Sequence, residues 1–477
     1  MEPAAVESSE PDSSFQAGDF GAVGDGTTLN TAAIQRAIDA AALADGGTVV
    51  FAPGTYLTGS LFVKSGVTLR MDPGVTLMGS KRIEDYPVLP TRVAGIEMVW
   101  PAALVNVYEQ SDVAITGEGT IDGNGKIFWD SYWALRQTYE PRGLRWASDY
   151  DACRPRLLQV FNSTRVHIGG GLLLRRSGFW TLHICYSTHV SVDRVTIRNN
   201  EDGRGPSTDG IDIDSSQHVL VQHADIAVND DALCFKAGRD ADGLRVARCT
   251  EDVIVRDCIV RDGAAGVTFG SETSGGFRNI EVHGITVLDP VPVGILFKSA
   301  RSRGGFGERL RLHDITMVNV PVVLRVMMNW NPSYSYAAIP PGECDSQGTI
   351  PAHWHVLATP VPEALGKARF RDVEISALRA TGASTAFEVD GFPEAPLERF
   401  TFKDIDIEAH AGGHIHDAHA WRFFDTCLTL AQGQTVQLPE APGPLSVQGL
   451  PVGSFSVDAQ CARRDVSSLS FAQQDQL

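Results

Sequence analysis

Three aspartates in two short segments are the residues of this chain best suited to acid–base chemistry. Asp209 lies in Ser207-Thr208-Asp209-Gly210, and Asp230 and Asp231 follow Asn229 about one solenoid coil later. A fold of that kind would place the three carboxylates on neighbouring coils. Inverting hydrolysis of a glycosidic bond needs a carboxylic acid and a carboxylate set about 6.5–9.5 Å apart. Crowded carboxylates cannot all ionise easily, so one pKa is raised and the acid is supplied.

The same aspartates also allow a plainer interpretation, since Asp-Gly and Asn-Asp pairs favour ordinary turns. Asp230 and Asp231 would point to opposite faces of a flat strand, so both reach one groove only if a turn or bulge lies there. Asp212 and Asp214 alternate with two isoleucines and are expected on a solvated strand face. Because no glycine-rich metal-loop repeat accompanies them, we predict no metal and no cofactor.

The elements that must position these residues are short β-strands in a loose repeat. Two β-formers flank one residue of any polarity, and after Ile168 the pattern recurs at intervals of roughly 24 to 34 residues. Consecutive strands without helical crossovers favour an all-β, right-handed parallel β-helix, with a β-sandwich or propeller as the alternative. The repeat is marked by Val113-Ala-Ile115, Val166-His-Ile168, Val190-Ser-Val192, Val219-Leu-Val221, Val253-Ile-Val255, Ile280-Glu-Val282 and Leu310-Arg-Leu312, and more faintly by Phe370-Arg-Asp-Val373 and Phe400-Thr-Phe402.

The two ends of the chain differ from this repeat. After Asn30, apolar residues at helical spacing from Ile34 to Leu43 predict one substantial helix, which would cap the open end of the first coil. Residues 1–17 are predicted to be a disordered leader, 18–432 a single β-helix domain, and the Pro- and Gln-rich 433–477 a loosely packed tail.

Two long insertions interrupt the repeat. The first runs from Trp129 to Arg156 and contains six aromatic residues, and the second runs from Asn329 past Trp330 to about His355. Aromatic loops over a solenoid can wall a groove in which sugars stack, but they equally often pin a loop to its own scaffold. Both interpretations stay open from the sequence.

Composition excludes several classes of partner. With 58 acidic and 40 basic residues the formal net charge is -18, which argues against nucleic acid and anionic membrane surfaces. No apolar run reaches the roughly 18 residues of a membrane span. The native compartment stays open: periplasmic or secreted if a signal was removed, otherwise cytoplasmic. Eight cysteines without a CxxC pair make zinc improbable; we expect isolated thiols, with a Cys249–Cys258 disulfide as the alternative.

An ordered set of motifs resembles a known family. Ser207-Thr-Asp-Gly210 and Asn229-Asp-Asp231 are followed by Gly263-Ala-Ala-Gly266, Gly270-Ser-Glu-Thr-Ser-Gly-Gly276 and Leu296-Phe-Lys298. This order resembles the pectin-degrading glycoside hydrolases of family 28, whose pattern is Asn-Thr-Asp-Gly, Asp-Asp, Gly-His-Gly with Gly-Ser, and Arg-Ile-Lys. The sequence is most similar to the exo-acting bacterial branch, over roughly residues 18 to 430.

The resemblance implies roles for individual residues. Asp230 would be the general acid, and Asp209 and Asp231 would together hold and deprotonate the attacking water. The substrate is expected to be a plant cell-wall oligo- or polysaccharide, bound by Lys236, Ser271, Glu272, Lys298, Arg301 and Trp330.

Two departures from the family pattern concern the substrate. Ala264 stands where the pattern has histidine, and Leu296 stands where it has arginine, which removes a guanidinium suited to bidentate carboxylate recognition. The leading hypothesis is an inverting glycosidase that releases terminal galacturonate from pectic polysaccharide. The alternatives are a hydrolase directed at rhamnogalacturonan, including release of terminal rhamnose, a non-catalytic glycan-binding β-helix, and a polysaccharide lyase.

Overall fold

The computed structural model describes residues 13–345 and 347–432, with 434, 436–437, 446–447 and 450–451. Its parallel strands coil into a right-handed β-helix, as predicted. Each coil contributes strands to three stacks, here called the first, second and third stack in chain order. Hydrogen bonding between successive coils satisfies the backbone of every strand inside a stack, so no helical crossover is needed.

The strands of each stack follow in chain order. The first stack begins with Ser14–Gln16, Gly47–Val50, Val67–Met71, Ser111–Gly117, Thr164–Gly169, Thr188–Asp193, Gln217–Gln222 and Thr250–Arg256. The second begins with Asp25–Leu29, Gly54–Thr58, Val75–Gly79, Thr120–Asp122, Leu173–Arg175, Thr196–Arg198, Asp225–Ala227 and Ile259–Asp262. The third holds Leu61–Phe62, Val105–Tyr108, Leu158–Phe161, Leu182–Cys185, Ile211–Asp214, Asp231–Lys236, Ala265–Phe269, Val293–Lys298 and Val322–Met327.

Later coils are built from longer strands that continue from one stack into the next. Phe277–Leu288 and Phe306–Val318 serve the first and second stacks, and Arg369–Asp390 and Leu397–His416 serve all three. The remaining strands are Arg422–Leu430, Ala418–His419, Val436–Gln437, Ser446–Val447 and Leu450–Pro451.

The repeat seen in the sequence is the register of the first stack. Val166 pairs with Val190, which pairs with Val219, then Val253 and Ile280 on successive coils. These side chains point inward and are buried in one continuous core that extends from the first coil to the last. The period-2 alternation of the tripeptides therefore predicted correctly which side chains form the interior.

The helices include the predicted cap. Thr31–Leu43 buries Ile34, Ile38 and three alanines against the first coils. A second substantial helix, Lys126–Tyr139, was not predicted, although its buried Phe128, Tyr132 and Tyr139 have helical spacing. Shorter helices are Ser148–Asp151, Asp240–Val246, Pro332–Ser335, Ala352–Leu357 and Glu363–Gly366, with 3₁₀ turns at Ala17–Phe20, Ile83–Asp85, Glu140–Arg142 and Arg145–Ala147.

The boundaries of the expected domain can be compared only in part. The strand Ser14–Gln16 pairs with Gly47–Val50, so the first coil begins inside the segment expected to be a leader. Residues 1–12 and most of the predicted tail 433–477 lie outside the described residues.

Cys249 and Cys258, the pair considered for a disulfide, are both free thiols. In the described part of the chain, no helix is long and apolar enough to cross a membrane.

Three segments pack together over the outward face of the third stack, and we call them the cover. They are the antiparallel hairpin Val88–Val93/Ile96–Pro101, residues 126–151, and residues 329–345 with 347–357. The cover has a hydrophobic cluster of its own, which includes Trp100, Tyr139, Trp146, Trp180 and Trp354. At the hairpin turn, a Cβ on Gly95 would lie 2.5 Å from the Arg239 side chain, so the turn approaches the third stack as closely as only glycine allows.

Candidate active site

A cavity of about 330 Å³ opens between the cover and the third stack. Asp209, Asp230 and Asp231 all line it. Asp209 lies in the turn before the strand Ile211–Asp214, and Asp230 lies in the turn before the strand that begins at Asp231. The turn at Asp230 allows two adjacent side chains to face the same cavity, which is the geometry that the sequence required.

Backbone hydrogen bonds hold the acidic turns side by side. The Gly210 N–H donates to the Asp231 carbonyl at 2.9 Å, and the Ala264 N–H donates to the Asp230 carbonyl at 2.8 Å. The Asp231 N–H also donates to Oδ1 of the Asp230 side chain at 3.0 Å. One oxygen each of Asp209 and Asp231 and the Cys234 sulfur lie within 4.8 Å of one another. The three acids are thus positioned by neighbouring coils and not by flexible loops.

Two buried lysines neutralise part of this acidic cluster. Lys298 Nζ donates to Asp231 Oδ2 at 2.6 Å and lies 4.5 Å from the centre of the Trp330 ring. Lys236 Nζ lies 3.4 Å from Asp209 Oδ2, 3.6 Å from Asp212 Oδ1 and 3.3 Å from Glu272 Oε2. Each amine contacts more than one neighbour, so removing either lysine would leave a buried carboxylate without its partner.

The pKa values of the three acids diverge. Burial raises the pKa of Asp230, and the neighbouring Asp231 carboxylate raises it further. Burial and the carboxylates of Asp212 and Asp230 raise the pKa of Asp209 well above its ordinary value. Burial would also raise the pKa of Asp231, but Lys298 and Lys236 outweigh it and lower that pKa. The site can therefore hold a protonated acid and an ionised carboxylate at the same pH.

Asp212 and Asp214 are not on a solvated face, so that expectation was wrong. Both alternate with core isoleucines and point outward as predicted, yet both are fully buried because the cover lies over them. Asp214 pairs with Arg92 of the hairpin at 2.9 Å and contacts His183 at 3.3 Å. Neither oxygen of Asp212 has a hydrogen-bond partner, and burial raises its pKa to about 8.

The expected binding residues separate into two groups. Lys236, Ser271, Glu272, Lys298 and Trp330 line the cavity. Arg301 does not: its guanidinium lies 4.5 Å from the Phe392 ring and 3.7 Å from Glu394, outside the cavity wall.

A single glycine places Ser271 and Glu272 beside the lysines. Gly270 has a φ of +103°, and a Cβ there would lie 2.0 Å from the Lys298 carbonyl oxygen. Only glycine allows this approach between the two coils. Glu272 is consequently within 3.3 Å of Lys236, and although burial opposes it, this lysine and nearby arginines lower the pKa of Glu272.

Sequence reasoning missed two arginines in the cavity wall. Arg325 is the register partner of Leu296 on the next coil, and it pairs with Glu388 at 2.6 Å. Arg145 comes from the cover and donates to Asp149 at 2.8 Å. The position of Arg325 could have been found by continuing the strand register one coil past Leu296, whereas nothing local in the sequence indicated Arg145.

The aromatic residues of the first insertion serve the scaffold. None of the six lines the cavity, and all but Trp133 are buried; they are Trp129, Tyr132, Trp133, Tyr139, Trp146 and Tyr150. The aromatic side chains that do reach the cavity are Phe179, Trp180, Trp330 and Tyr334. Of the two interpretations of the first insertion, the structure favours the one in which the aromatics pin the loop.

Asp209, Asp231 and Cys234 are close enough to hold a metal ion. The carboxylates of Asp209 and Asp231, however, are already ion-paired with Lys236 and Lys298. A cation bound there would have to displace or crowd both ammonium groups, so the donor set fits an ion-paired acid cluster better than a metal centre.

Comparison with known proteins identifies the family. The model of Glycosyl hydrolases family 28 matches residues 51–335, which is more than half of the chain. This chain belongs to that family. It is therefore a glycosidase, and the motif order that suggested the resemblance is confirmed. A second model, Rhamnogalacturonase A/epimerase, pectate lyase-like, matches residues 14–86.

Individual relatives support the same placement of this family 28 member. It is 28% identical over 404 residues to a probable polygalacturonase of Vitis vinifera, covering 82% of this chain and 74% of the relative. It is also 28% identical over 438 residues to the exo-poly-alpha-D-galacturonosidase of Dickeya chrysanthemi, covering 83% and 68%. The crystal structure of an exopolygalacturonase from Thermotoga maritima has the same fold, with a TM-score of 0.72, 24% identity, and coverage of 94% and 95%.

Proposed function

We propose that this family 28 glycosidase is an inverting, exo-acting hydrolase that releases a terminal sugar from pectic polysaccharide, with galacturonate as the leading terminal sugar. The observation that carries the proposal is the divergence of pKa values among three carboxyl groups that line one cavity, the buried Asp209 and Asp231 and the half-buried Asp230. Similarity to the probable polygalacturonase of Vitis vinifera and to the exo-poly-alpha-D-galacturonosidase of Dickeya chrysanthemi supports the substrate class.

Each acid has a separate role in the proposed mechanism. Asp230, whose pKa is raised, donates its proton to the glycosidic oxygen as that bond breaks. Asp231, which Lys298 keeps ionised, accepts a proton from the water that attacks the opposite face of the sugar. Asp209, also with a raised pKa, holds that water by hydrogen bonding. After release, Asp231 loses and Asp230 regains a proton through solvent.

The exo action follows from the cover. Ala94 of the hairpin, Arg145 of the first insertion and Tyr334 of the second all enter the cavity wall. The cover's hydrophobic cluster fixes these segments over the coils that precede the acids. We propose that the cover stops a polysaccharide from continuing past the acids on that side, so that the sugar bound there is a chain end. We further propose that residues 18–432, with the strand Ser14–Gln16 that begins the first coil, act as one domain. Lys236, Ser271, Glu272, Lys298 and Trp330 contact the substrate in this proposal.

Asp230→Asn tests the proposal. Wild-type protein should release single sugars of inverted anomeric configuration, followed by nuclear magnetic resonance, from oligogalacturonides or from rhamnose-ended rhamnogalacturonan oligomers. The variant should lose about 10²-fold or more of kcat, because the general acid is gone. Asp252→Asn is the control, since Asp252 lies on a first-stack strand, accepts a hydrogen bond from Asn279 and does not line the cavity.

Other outcomes identify the alternatives. If Asp230→Asn leaves every measurable activity unchanged, the protein is a non-catalytic glycan-binding β-helix. Products that absorb in the ultraviolet would indicate a polysaccharide lyase. Internal cleavage products would contradict the exo assignment. Release of rhamnose without galacturonate would favour the rhamnogalacturonan alternative, which the loss of an arginine at Leu296 already suggests.

A further inference from the structure

Four apolar side chains line part of the cavity wall on the coils after Asp231–Lys236, beside Lys298 and Arg325. Ala264, Val293, Leu296 and Met327 line it, and Val293 and Leu296 belong to a small apolar cluster separate from the main core. Leu296 points outward because its neighbours Ile295 and Phe297 are in the core. An apolar cluster on the outward face of a strand, next to five acidic side chains, is not needed to fold the β-helix.

Every cation that lines the cavity is already paired with a carboxylate of the protein. Arg325 forms two contacts with Glu388, Lys298 donates to Asp231, Lys236 contacts three acids, and Arg145 donates to Asp149. The cavity wall itself carries five acidic residues against these four cations, namely Asp149, Asp209, Asp230, Asp231 and Glu272. A bare carboxylate bound beside Leu296 would have to compete with Asp231 for the buried Lys298 or with Glu388 for the partly exposed Arg325. Separating the buried pair is costly, and a carboxylate left unpaired against apolar side chains loses its hydration.

We propose that the sugar contacting Leu296 is uncharged and presents an apolar substituent to Val293, Leu296 and Met327. The substituent is the methyl group of a 6-deoxyhexose or the methyl ester of a uronate. This rests on the proposed function, because the terminal sugar then occupies the covered end and the sugar at Leu296 is the second one, which leaves with the glycosidic oxygen. Leu296 is the residue that determines this specificity.

Three substrates with the same terminal galacturonate test the proposal. The second sugar is galacturonate in the first, methyl-esterified galacturonate in the second and rhamnose in the third. We expect kcat/KM to be at least about tenfold higher for the second or the third than for the first. Whichever of the two is preferred identifies the source of the methyl group. Equal or faster cleavage of the first substrate would overturn the inference and leave the exo-galacturonidase proposal intact.

A binding measurement separates the two proposals. Calorimetry on Asp230→Asn with the same three compounds reports the preference of the second-sugar site without turnover. If wild type cleaves none of the three while this variant still binds the esterified or rhamnose compound about tenfold tighter, the galacturonidase proposal fails and the specificity inference stands. Equal binding of all three would overturn the inference.

Substitutions at the apolar wall locate the determinant. Leu296→Arg should lower the ratio of kcat/KM between the preferred uncharged substrate and the first substrate by about tenfold, because an added guanidinium can pair with a free uronate carboxylate. Leu296→Met is the matched control and should keep the wild-type preference. Met327→Lys is a second test in case Leu296→Arg does not fold. Met327 is the register partner of Lys298 on the next coil, so a lysine there places a cation at the same wall and should lower the same ratio. If folded Leu296→Arg and Met327→Lys both keep the wild-type preference, the assignment to this wall is wrong.

Discussion

The outward faces of the first and third stacks have the same local pattern but opposite environments. On the first stack, Glu281, Arg311 and Glu374 are register partners on successive coils. Arg311 pairs with Glu281 at 2.7 Å and Glu374 pairs with Lys403 at 2.9 Å, and both pairs are open to solvent. On the third stack, Asp212 and Lys236 occupy equivalent outward positions, yet both are buried. Alternation along a strand sets which way a side chain points, and only what lies above it sets its pKa.

The cover causes the difference. Arg92 of the hairpin reaches Asp214, which is 122 positions away in the chain, and closes the outward face of the third stack. Ion pairs in the open contribute little to stability, since water and salt screen them. The same charges under the cover have shifted pKa values and hold one another ionised or neutral. Catalytic chemistry is therefore expected where the cover lies and not elsewhere on the β-helix.

The largest expected difference between the two faces is in the effect on kcat of removing a lysine that pairs with a carboxylate. Lys298→Met should lower kcat by about 10²-fold or more, because Asp231 loses the amine that keeps it ionised. The acidic limb of the pH–rate profile should move to higher pH as the pKa of Asp231 rises. Lys403→Met removes the exposed pair with Glu374 at 2.9 Å and should leave kcat unchanged. An unshifted profile for Lys298→Met would show that Asp231 is not the base.

A contrast of intermediate size concerns stability and pH. Burial raises the pKa of Asp212 to about 8, whereas the unfolded carboxyl titrates near its ordinary value of about 4. The protonated Asp212 carboxyl therefore contributes fully to the free energy of unfolding below pH 4. That contribution decreases as pH rises and is lost once pH passes 8. Asp212→Asn stays neutral, so the variant should be more stable than wild type above pH 8, by up to about 5 kcal/mol, since each pKa unit corresponds to about 1.4 kcal/mol.

Thermal melts from pH 4 to 9 measure this difference, which should vanish at the acidic end. Glu374→Gln on the open face should show no comparable change with pH. A constant difference between Asp212→Asn and wild type across the range would mean that the native carboxyl is ionised throughout.

The smallest effect is expected for the exposed ion pair itself. Arg311→Met should change the free energy of unfolding by no more than about 0.5 kcal/mol, because the Arg311 side chain is 61% exposed. Denaturant unfolding at low and high salt should show that even this difference disappears at high salt. A loss of several kcal/mol would mean that the first stack also depends on its outward charges.

Much of the fold and part of the site could be predicted from sequence because they depend on local spacing. The inward tripeptides, the cap at Thr31–Leu43 and the meeting of Asp209, Asp230 and Asp231 all follow from strand alternation and coil length. The helix Lys126–Tyr139 was missed since its aromatic residues were interpreted as a loop, although their spacing is helical. Arg301 was expected to bind substrate, yet its side chain turns away from the cavity toward Phe392 and Glu394.

By itself, the sequence determined the coil register, the direction of each side chain and the identity of the acidic cluster, because these arise from a backbone that repeats every two residues and every coil. The tertiary structure alone decided that Asp212 and Asp214 are buried, that Arg325 and Arg145 enter the cavity, and that Leu296 joins an apolar wall. Burial depends on the packing of segments that are distant in the chain, and local sequence patterns do not indicate which distant segments pack together.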